Sequence, residues 1–302
     1  MNSLKNNQLK KKEINILIST DNRYLKPYLV VLKSLFKNNK NVFFNIYFAH
    51  FSDEDVTTVI EKLNKVIKNK GRLISTPVSH YPSPKLLSYL GKYKPSVYLK
   101  LFSLYFLNKT VEKILWLDGD VLICKNIEHF YNSFNPKKYA IMGTEEIEEE
   151  NLNLLNSIKN ETCYKTYDKR YLNVGVLLLS PSWFICHYPN IDNLESALEG
   201  IIISKKNYIL PEQDLINILC SNNKQILINS EYNFSIDTDI NYYSTSYKDI
   251  WIIHFTRAKP WTKYDRTVRF QRKYWKYGIS VFSFYRFFKY LLSYFKEKYT
   301  QK

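Results

Sequence analysis

The sequence contains few glycines, few cysteines and no long apolar run, and each shortage excludes a class of protein. Only 7 of the 302 residues are glycine, and neither the G-x-G-x-x-G fingerprint nor the P-loop pattern occurs, so a bound nucleotide has to be held through a metal ion and side chains. The 4 cysteines include no close pair, which excludes a zinc ribbon or a C-x-x-C redox motif. No run of about 18 uncharged apolar residues occurs, so no membrane-spanning helix is predicted.

The composition is that of a globular protein with an excess of positive charge. Hydrophobic residues make up 45% and aromatic residues 16% of the chain, too much for a disordered polypeptide. The net charge of +16 favours polyanionic partners, namely nucleic acid, anionic lipid or phosphorylated substrates. Residues 1–13 form a polar, basic tail without the apolar stretch of a secretory signal, so the expected location is the cytoplasm.

Apolar periodicity in the first part of the chain predicts alternating strands and helices. A strand begins at Ile14, and further strands are predicted at Asn41–His50 and Arg72–Ser75. Helices are predicted between them at Tyr24–Phe36 and Asp53–Ile67. This β-α-β-α-β order is typical of a mostly parallel sheet with helices on both faces, where ligands bind beyond the carboxyl ends of the strands.

The rest of the chain continues the mixed α/β pattern without an internal repeat. Ser52 is the expected N-cap of the second helix, and the acidic run Glu145–Glu150 is interpreted as the solvated start of a helix. The remaining predicted elements are a loop at Ser79–Pro95, helices at Ser96–Leu107, Leu194–Ile203 and Glu212–Cys220, and strands at Lys113–Leu117, Tyr139–Met142, Tyr171–Leu179 and Trp251–His254. Functional residues are therefore sought where strands end.

The first candidate site is Asp118-Gly119-Asp120, which directly follows an apolar strand. Two carboxylates two residues apart, with a glycine that permits a tight turn, can converge on one hard cation and leave positions for diphosphate oxygens. A metal-dependent sugar-nucleotide transferase and a phosphatase of the haloacid dehalogenase type both use this pattern. The phosphatase motif normally lies on the first strand, whereas three predicted strands precede it here. Its position favours the transferase.

A second candidate lies late in the chain, at Trp251–Trp261. His254 ends the last predicted strand and is able to supply a neutral nitrogen ligand to a metal ion held by the two aspartates. Lys259, in the Lys-Pro-Trp sequence that follows, is able to neutralise phosphate charge. A lone histidine is usually a satisfied surface or core residue, but the companion motif at short distance favours a functional role.

Three further motifs put polar side chains at the ends of elements. Ser19–Tyr24 follows the first strand and offers small polar groups, a carboxylate and an aromatic ring to a base, although taken alone it is a capped helix start. Tyr171–Leu177 places the amide of Asn173 beside a glycine, and Leu210–Asp214 puts three polar side chains at a helix N-terminus. Each of these two is compatible with a structural role as well as a functional one.

In this order, the motifs resemble those of glycosyltransferase family 8, retaining enzymes with a GT-A fold that include bacterial lipopolysaccharide galactosyl- and glucosyltransferases. The resemblance spans residues 14–262. It implies a GT-A-like α/β domain, with a mostly parallel Rossmann-type sheet, that binds a UDP-hexose donor together with Mn²⁺ or Mg²⁺. The metal ligands that it implies are Asp118, Asp120 and His254.

The resemblance also implies roles for donor-binding residues. Tyr24 is expected to stack on uracil, Lys259 to contact the diphosphate, Asn173 to contact the donor sugar and Gln213 to lie by the anomeric carbon. Gln213 and Asp214 are the catalytic candidates, although a covalent intermediate is the weaker route because an amide is a poor nucleophile. The expected substrate-binding residues are Thr20, Asp21, Tyr24, Lys100, Asp118, Gly119, Asn173, Glu212, Gln213 and Lys259.

The chain departs from the family pattern at some of these positions. Lys100 stands where the family often has arginine, which removes the bidentate fork of a guanidinium. Glu212 stands where relatives often have aspartate, a change that bears on sugar-hydroxyl preference. Arg257 lies in a segment between the late histidine and Lys-Pro-Trp that is shorter than in the family, where glycine is common.

Residues 263–302 form a basic, aromatic tail. It contains eleven Lys or Arg residues against two acidic ones, interleaved with Phe, Tyr and Trp. This pattern favours a helix in a membrane interface, where aromatic rings enter the acyl boundary and basic groups meet anionic lipid. Nucleic-acid binding and a helix that packs on the core are the alternatives.

We therefore predict a retaining transferase that moves galactose or glucose from a UDP-sugar to a hydroxyl of a bacterial cell-surface glycan or glycolipid such as lipopolysaccharide. The predicted divisions are a tail at 1–13, a catalytic domain at 14–262 and a helical membrane-contact segment at 263–302. The expected location is the inner face of the cytoplasmic membrane, with no nucleic-acid partner. The alternatives are a phosphatase centred on Asp118 and a non-catalytic nucleic-acid- or membrane-binding protein.

Overall fold

The structure is a computed structural model. It describes residues 12–91, 93–146, 170–203, 211–227, 230–236, 248–256, 259–262, 270–283, 287–292 and 295. The predictions for residues 1–11 and for the acidic residues 147–150 lie outside the described residues, as do those for 263–269, 284–286, 293–294 and 296–302 of the tail.

A seven-stranded, largely parallel sheet forms the centre of the fold, which confirms the predicted mixed α/β class. Its strands are β1 (Lys12–Ile18), β2 (Val42–Phe51), β3 (Gly71–Val78), β4 (Ile114–Leu117), β6 (Ile141–Thr144), β7 (Val176–Leu179) and β8 (Lys224–Leu227), with β5 in a second sheet. Their spatial order is β3-β2-β1-β4-β7-β6-β8, and β7 runs against both of its neighbours. Most residues of β2, β4 and β7 are buried, as expected for strands covered on both faces.

A smaller sheet brings a late part of the chain next to an early one. It consists of β5 (Val121–Ile123), β9 (Phe234–Ser235) and β10 (Ile252–His254). The central strand β10 pairs antiparallel with β5 and parallel with β9. In this register His254 lies opposite Val121, so the sheet carries the late histidine to the residue that follows Asp120.

Helices cover both faces of the central sheet. They are α1 (Leu25–Asn38), α2 (Thr57–Ile67), α3 (Pro84–Ser88), α4 (Leu99–Phe102), α5 (Glu128–Ser133), α6 (Pro181–His187), α7 (Ile191–Ile203), α8 (Pro211–Leu219) and α9 (Gln271–Gly278). Single 3₁₀ turns lie at Lys68–Lys70, Pro95–Tyr98, Ser103–Phe106 and Ser230–Asn233. The predicted loop before the Asp pair therefore contains a short helix, α3.

The helix predicted from Asp53 begins later, at Thr57, and Ser52 is not its N-cap. The backbone N–H of Ser52 donates to the carbonyl of Val78 at 3.0 Å, which continues the pairing of the preceding strand. The carboxylate of Asp55 instead accepts from the N–H of Thr57 at 3.0 Å. Ser52 therefore pairs with β3 and does not serve as the N-cap that the sequence pattern predicted.

The helix predicted at Ser96–Leu107 is a chain of short turns, with α4 between two 3₁₀ turns. All side chains from Tyr98 to Leu104 are buried, so this segment has no solvent-facing stripe. A regular surface helix is recognised in a sequence by apolar residues at helical spacing with polar residues between them. In this segment contacts on every side determine the backbone conformation, so that spacing does not predict it.

The hydrophobic core has three clusters, two of them formed around the central sheet and the third beneath the small one. The third cluster joins Leu122 and Ile253 to the C-terminal tail. The buried tail residues in it are Tyr274, Trp275, Phe282 and Tyr290. One face of the described tail thus packs on the domain that carries the Asp pair, while its large exposed hydrophobic side chains are Ile279, Phe288, Leu292 and Phe295.

Among the residues that the structure describes, no helix is both long and apolar enough to cross a membrane.

Candidate functional site

The Asp pair lies in the turn between β4 and β5, at the carboxyl edge of the central sheet. The backbone N–H of Asp118 donates to the carbonyl of Gly175 at 2.8 Å, and the indole of Trp116 donates to Oδ1 of Asp118 at 2.5 Å. A Cβ on Gly119 would lie 2.9 Å from the ring of Tyr28. The glycine therefore lets the turn close over that buried ring.

Asp118, Asp120 and His254 form a cluster whose ligand atoms all lie within 4.8 Å of one another. Oδ1 of Asp120 is buried, has no hydrogen-bond partner and lies 3.3 Å from Nε2 of His254. A buried carboxylate oxygen without a donor is costly unless a cation satisfies it. Two carboxylates and an imidazole also suit a divalent metal ion, so these three residues fit the predicted metal site.

The orientation of His254 is fixed from behind by two asparagines. Nδ1 of His254 lies 3.1 Å from Oδ1 of Asn233, and Nδ2 of Asn233 donates to Oδ1 of Asn173 at 2.8 Å. Oδ1 of Asn173 also accepts from the N–H of Gly175 at 2.9 Å. Because Nδ1 is engaged with an acceptor, Nε2 is the nitrogen that is left to face the metal site.

Gly175 is required by the close approach of the histidine ring. A Cβ at this position would lie 2.2 Å from Cε1 of His254, far inside van der Waals contact. The backbone of the Asn173–Gly175 turn therefore packs directly against the imidazole of His254. This explains the glycine of the Asn-x-Gly motif in physical terms.

Lys259 reaches the metal site from the loop after β10. Its ammonium donates to Oδ2 of Asp120 at 2.5 Å and to the carbonyls of Phe255 at 2.5 Å and Thr256 at 2.7 Å. Burial alone would raise the pKa of Asp120, but the charges of His254 and Lys259 outweigh it and hold that pKa well below its usual range. Asp120 is thus an anion beside the ammonium of Lys259.

Lys100 is fully buried and bonds to several groups around the site. Its ammonium donates to the carbonyl of Val174 at 3.0 Å, and it lies 2.7 Å from Oε1 of Glu212 and 3.7 Å from Oδ1 of Asp118. Burial, with a contribution from the charge of Asp118, raises the pKa of Glu212 to about 7, although Lys100 opposes the shift. Lys100 and Glu212, the two positions at which the sequence departs from the expected pattern, therefore form one ion pair.

The two catalytic candidates occupy different positions. Oε1 of Gln213 accepts from the N–H of Val174 at 3.0 Å, and its Nε2 donates to Glu146 at 2.6 Å. Asp214 is fully buried, and its carboxylate accepts from the hydroxyl of Tyr171. Gln213 is therefore held by both ends of its amide beside the Asn-x-Gly turn, while Asp214 lies in the protein interior.

Glu146 corrects the interpretation of the acidic run as a solvated helix start. It is only 8% exposed, its N–H donates to the carbonyl of Tyr171 at 2.8 Å, and its carboxylate holds Gln213. The neighbouring Glu145 forms a β-bridge with Leu172. The carboxylate of Glu146 therefore belongs to the site region, and the backbone of Glu145 lies in a β-bridge and not in a helix.

The motif after β1 forms an exposed platform at the start of α1. The carboxylate of Asp21 accepts from the N–H groups of Arg23 at 2.9 Å and Tyr24 at 3.1 Å and pairs with Lys94. Burial raises the pKa of Asp21, but the hydrogen bonds of Lys94 and Tyr24 outweigh it and lower that pKa. The hydroxyl of Thr20 donates to the carbonyl of Asp21 at 3.0 Å.

The ring of Tyr24 is 49% exposed and forms an edge-to-face pair with Trp261 at 6.2 Å. Trp261 in turn lies 5.6 Å from the buried ring of Tyr274. The Lys-Pro-Trp motif thus connects both ends of the predicted donor site, because its lysine reaches Asp120 and its tryptophan reaches Tyr24.

The structure brings the predicted residues to one edge of the sheet, but it also shows partners that the sequence did not reveal. No local sequence pattern predicts that Asn233, Glu146 or Lys94 lies at this site. Trp116 was available from sequence, because side chains two residues apart on a strand share a face with each other and Trp116 precedes Asp118 by two.

Comparisons with known proteins show which family the chain resembles in sequence and fold. The sequence profile described as Glycosyl transferase family 8 matches residues 15–265. The chain is 24% identical over 263 residues to a lipopolysaccharide 1,2-glucosyltransferase of Escherichia coli (strain K12), covering 83% of this chain and 73% of that protein. It is 21% identical to the glycosyltransferase GlyF of Streptococcus pneumoniae, covering 87% of this chain and 61% of that protein.

Solved structures share the fold. The galactosyltransferase LgtC, solved in complex with donor and acceptor sugar analogs, superposes with a TM-score of 0.63 at 18% identity, covering 89% of this chain and 97% of LgtC. The glycosyltransferase GlyE of Streptococcus pneumoniae superposes with a TM-score of 0.62 at 15% identity, covering 89% of this chain and 60% of GlyE. The profile match extends over most of the sequence, from before the end of β1 to beyond the Lys-Pro-Trp motif, and on that ground the chain belongs to glycosyl transferase family 8.

Proposed function

We propose that the protein is a retaining, Mn²⁺-dependent hexosyltransferase that moves galactose or glucose from a UDP-sugar to a hydroxyl of a bacterial cell-surface glycan. One observation carries the proposal. Asp118, Asp120 and His254 converge around a buried, unsatisfied carboxylate oxygen at the sheet edge that also carries the Tyr24 platform. In the absence of a glycine-rich loop, a metal ion that binds the diphosphate and an aromatic platform that binds the base can together hold a nucleotide.

The donor's uridine is assigned to the platform at the start of α1. Tyr24 offers an exposed ring face for base stacking, and Asp21, with Thr20 beside it, supplies an acceptor for the single ring N–H of the uracil in UDP. Because the carboxylate of Asp21 has a lowered pKa, it is ionised at neutral pH and acts only as an acceptor. Trp261 completes the aromatic wall of this pocket.

The donor's diphosphate is assigned to the metal cluster and Lys259. A bound Mn²⁺ or Mg²⁺ would be held by Asp118, Asp120 and His254 and would stabilise the negative charge of the departing UDP. Gly119 keeps the turn between the two aspartates free of a side chain. Lys259 adds a point charge beside Asp120, which places a cation of the protein itself next to the leaving group.

The donor sugar is assigned to the far end of the cluster, where Asn173, Glu212 and Gln213 meet. Gln213 is held by Val174 and Glu146, which orients its amide at the anomeric carbon. The acceptor hydroxyl attacks this carbon on the face from which UDP leaves, and a diphosphate oxygen takes the hydroxyl proton. Burial of Asp214 against Tyr171 favours this route over a covalent intermediate, and leaves Asp214 with a positioning role.

The two sides of the tail have separate roles in this proposal. Its buried rings support the domain, and its exposed apolar and basic side chains contact the anionic inner face of the cytoplasmic membrane, where a glycolipid acceptor would be presented. Residues 14–262 then form the catalytic domain and residues 263–302 the contact segment. The relative from Escherichia coli, named for lipopolysaccharide, supports a glycolipid acceptor.

The experiment is a donor screen. Purified protein is incubated with each UDP-sugar and Mn²⁺, and the released nucleoside diphosphate is measured. GDP-galactose and GDP-glucose are the matched donors, which differ only in the base. We expect release from UDP-galactose or UDP-glucose and none from the GDP-sugars. Release of inorganic phosphate from simple phosphoesters, without UDP release, would support the phosphatase alternative and overturn the proposal.

A further inference from the structure

A groove lined by six lysines lies between α1 and α2, away from the candidate donor site. It has a volume of about 600 Å³, and Phe36 and Val66 form its apolar floor. The lysines around it are Lys33, Lys37, Lys40, Lys65, Lys68 and Lys70. All of them except the half-buried Lys33 are exposed.

These ammonium groups are not neutralised by neighbouring carboxylates. Within the part of the chain that the structure describes, none of the six takes part in an ion pair, and Lys33 donates to the hydroxyl of Ser280 at 2.7 Å. Glu61 lies one helical turn before Lys65 on α2 but forms no ion pair with it within the same described region. Six like charges around one depression repel each other, and an anionic partner relieves that repulsion.

The backbone of Lys68 is a second, independent observation. This residue ends α2 with φ 40° and ψ −126°, a positive-φ conformation that favours glycine because a Cβ is strained there. Its N–H donates to the carbonyl of Asn64, so the geometry belongs to the helix end. A lysine keeps a charge at the groove at a position where glycine would be the more stable choice.

The groove adjoins the tail that is proposed to contact the membrane. Lys33 bonds to Ser280, and the amide of Asn38 donates to the hydroxyl of Tyr277 at 3.3 Å, so α1 and the tail form one continuous surface. Ile279, next to Ser280, is 50% exposed. Lysines and exposed apolar side chains therefore lie side by side, which is the composition of a surface that meets lipid headgroups.

The groove lies at the opposite end of α1 from Tyr24. A helix rises 1.5 Å per residue, so the length of α1 separates Lys37 from the base platform by about 20 Å. A ligand in the groove would therefore leave the donor site open.

We propose that this lysine groove binds the headgroups of anionic phospholipids and, with the exposed side of the tail, forms one membrane-docking face. The inference rests on the membrane contact in the proposed function and adds a second element to it, on α1 and α2. Charge complementarity selects the occupant, because each basic group near an anionic leaflet adds to the binding. The apolar floor accommodates the glycerol and upper acyl carbons of a lipid.

The test compares two double variants with the same change in net charge. Lys40→Glu with Lys70→Glu alters the groove, and Lys109→Glu with Lys137→Glu alters exposed lysines outside it. Binding is measured by co-sedimentation with phosphatidylcholine vesicles that do or do not contain phosphatidylglycerol. We expect the groove variant to lose at least about 20-fold in partitioning onto the phosphatidylglycerol vesicles and the control variant to lose about threefold or less.

The variant Lys68→Gly provides a second test, in which stability and vesicle binding should change in opposite directions. Because glycine relieves the strained backbone, this variant should melt at a higher temperature than wild type and yet bind the anionic vesicles several-fold more weakly. A variant that is more stable but binds less cannot owe its defect to misfolding. Unchanged vesicle binding by both Lys68→Gly and the groove variant would overturn the proposal.

Further outcomes distinguish the groove from the tail and from the donor site. If Phe288→Ser with Leu292→Ser loses binding while the groove variant binds as wild type does, the tail contact stands and the groove proposal is wrong. If the groove variant loses affinity for a short DNA duplex but not for vesicles, the groove is a nucleic-acid site and the proposal is also wrong. UDP release from UDP-hexose in water, without vesicles, tests the proposed reaction separately and should be the same in wild type and groove variant.

Discussion

Nδ1 of His254 lies 3.1 Å from Oδ1 of Asn233, and this contact determines which imidazole nitrogen faces the two aspartates. Asn233 lies 21 residues before the histidine and precedes β9 directly. Because its amide nitrogen is committed to Asn173, its oxygen is the atom turned towards the ring. A partner behind a metal-binding histidine fixes the tautomer and the ring orientation.

Asn233→Ala should therefore weaken Mn²⁺ binding by about 10–100-fold, the usual effect of losing such a partner. Asn233→Asp keeps an acceptor for Nδ1 of His254 but loses the donor to Asn173, so it should recover part of the affinity. A purely structural role would not distinguish the two variants in this way. Mn²⁺ affinity is measured directly by titration, without donor or turnover. Equal affinity of Asn233→Ala and wild type would contradict the assignment.

The metal cluster itself is tested by removing its ligands. Asp118→Ala or Asp120→Ala should abolish UDP release, and EDTA should do the same to wild type, because the departing diphosphate loses its counter-charge. Glu54→Ala, an exposed acidic residue outside the site, is the matched control and should behave as wild type does. Turnover that persists in EDTA would mean that the cluster does not hold a required metal ion.

Glu212 predicts a pH dependence of stability. Its pKa rises from 4.5 in the unfolded chain to about 7 in the fold, because burial and the charge of Asp118 disfavour the carboxylate more than Lys100 favours it. The folded state binds the proton more tightly. The stability that the protonated Glu212 contributes to the fold is therefore fully present below pH 4.5 and is lost as the pH rises to about 7. The free energy of unfolding should fall by roughly 3 kcal/mol at most over this range.

Glu212→Gln should remove this dependence, because an amide stays neutral. Stability is measured by urea unfolding with EDTA present. Wild type and Glu212→Gln should have similar free energies of unfolding near pH 4.5, and the variant should be more stable above about pH 7. Glu54→Gln serves as the exposed control. Parallel stability curves for wild type and Glu212→Gln would show that Glu212 does not titrate in this way.

The close packing of Gly175 against His254 predicts a large effect from one methyl group. A Cβ 2.2 Å from Cε1 of the imidazole forces the ring or the turn to move, so Gly175→Ala should lower Mn²⁺ affinity and UDP release together. Gly200→Ala is the matched control, because a Cβ there meets nothing within 4 Å. In the interior of α7 it should stabilise the fold by about 0.5–1 kcal/mol.

The parts of the site that are local in sequence were predictable, and those that depend on distant packing were not. Asp118 and Asp120 follow a strand, and Tyr24 and Lys259 lie in short motifs, so pattern and resemblance place them at strand ends. Asn233 contacts His254, 21 residues away, and Asn173, 60 residues away. Glu146 contacts Gln213, 67 residues away. No periodicity within a single segment encodes such a contact.

The secondary-structure prediction was wrong where backbone N–H groups donate to side chains and not to the backbone of a neighbouring strand. The strand predicted from Tyr171 begins only at Val176, because earlier N–H groups bond to side chains: that of Leu172 to Asn217 at 2.8 Å and that of Val174 to Gln213 at 3.0 Å. These acceptors come from α8, about 40 residues further on. The apolar run therefore predicts burial correctly and strand length incorrectly.

The tail provides the last prediction, because its two sides should respond differently to substitution. Trp275 is buried, and its indole donates to the carbonyl of Pro260 at 3.1 Å, so it supports the turn that carries Lys259 and Trp261. Trp275→Ala should cost about 3–5 kcal/mol of unfolding free energy and should reduce UDP release through that turn.

Phe288 is 46% exposed, so Phe288→Ser should leave the melting temperature nearly unchanged and weaken binding to anionic vesicles. The two variants each remove one aromatic ring from the same tail and serve as controls for each other, measured by thermal melting and vesicle co-sedimentation. If Phe288→Ser melts as far below wild type as Trp275→Ala does, the exposed side of the tail is part of the core packing. The membrane contact of the tail would then lose its structural support.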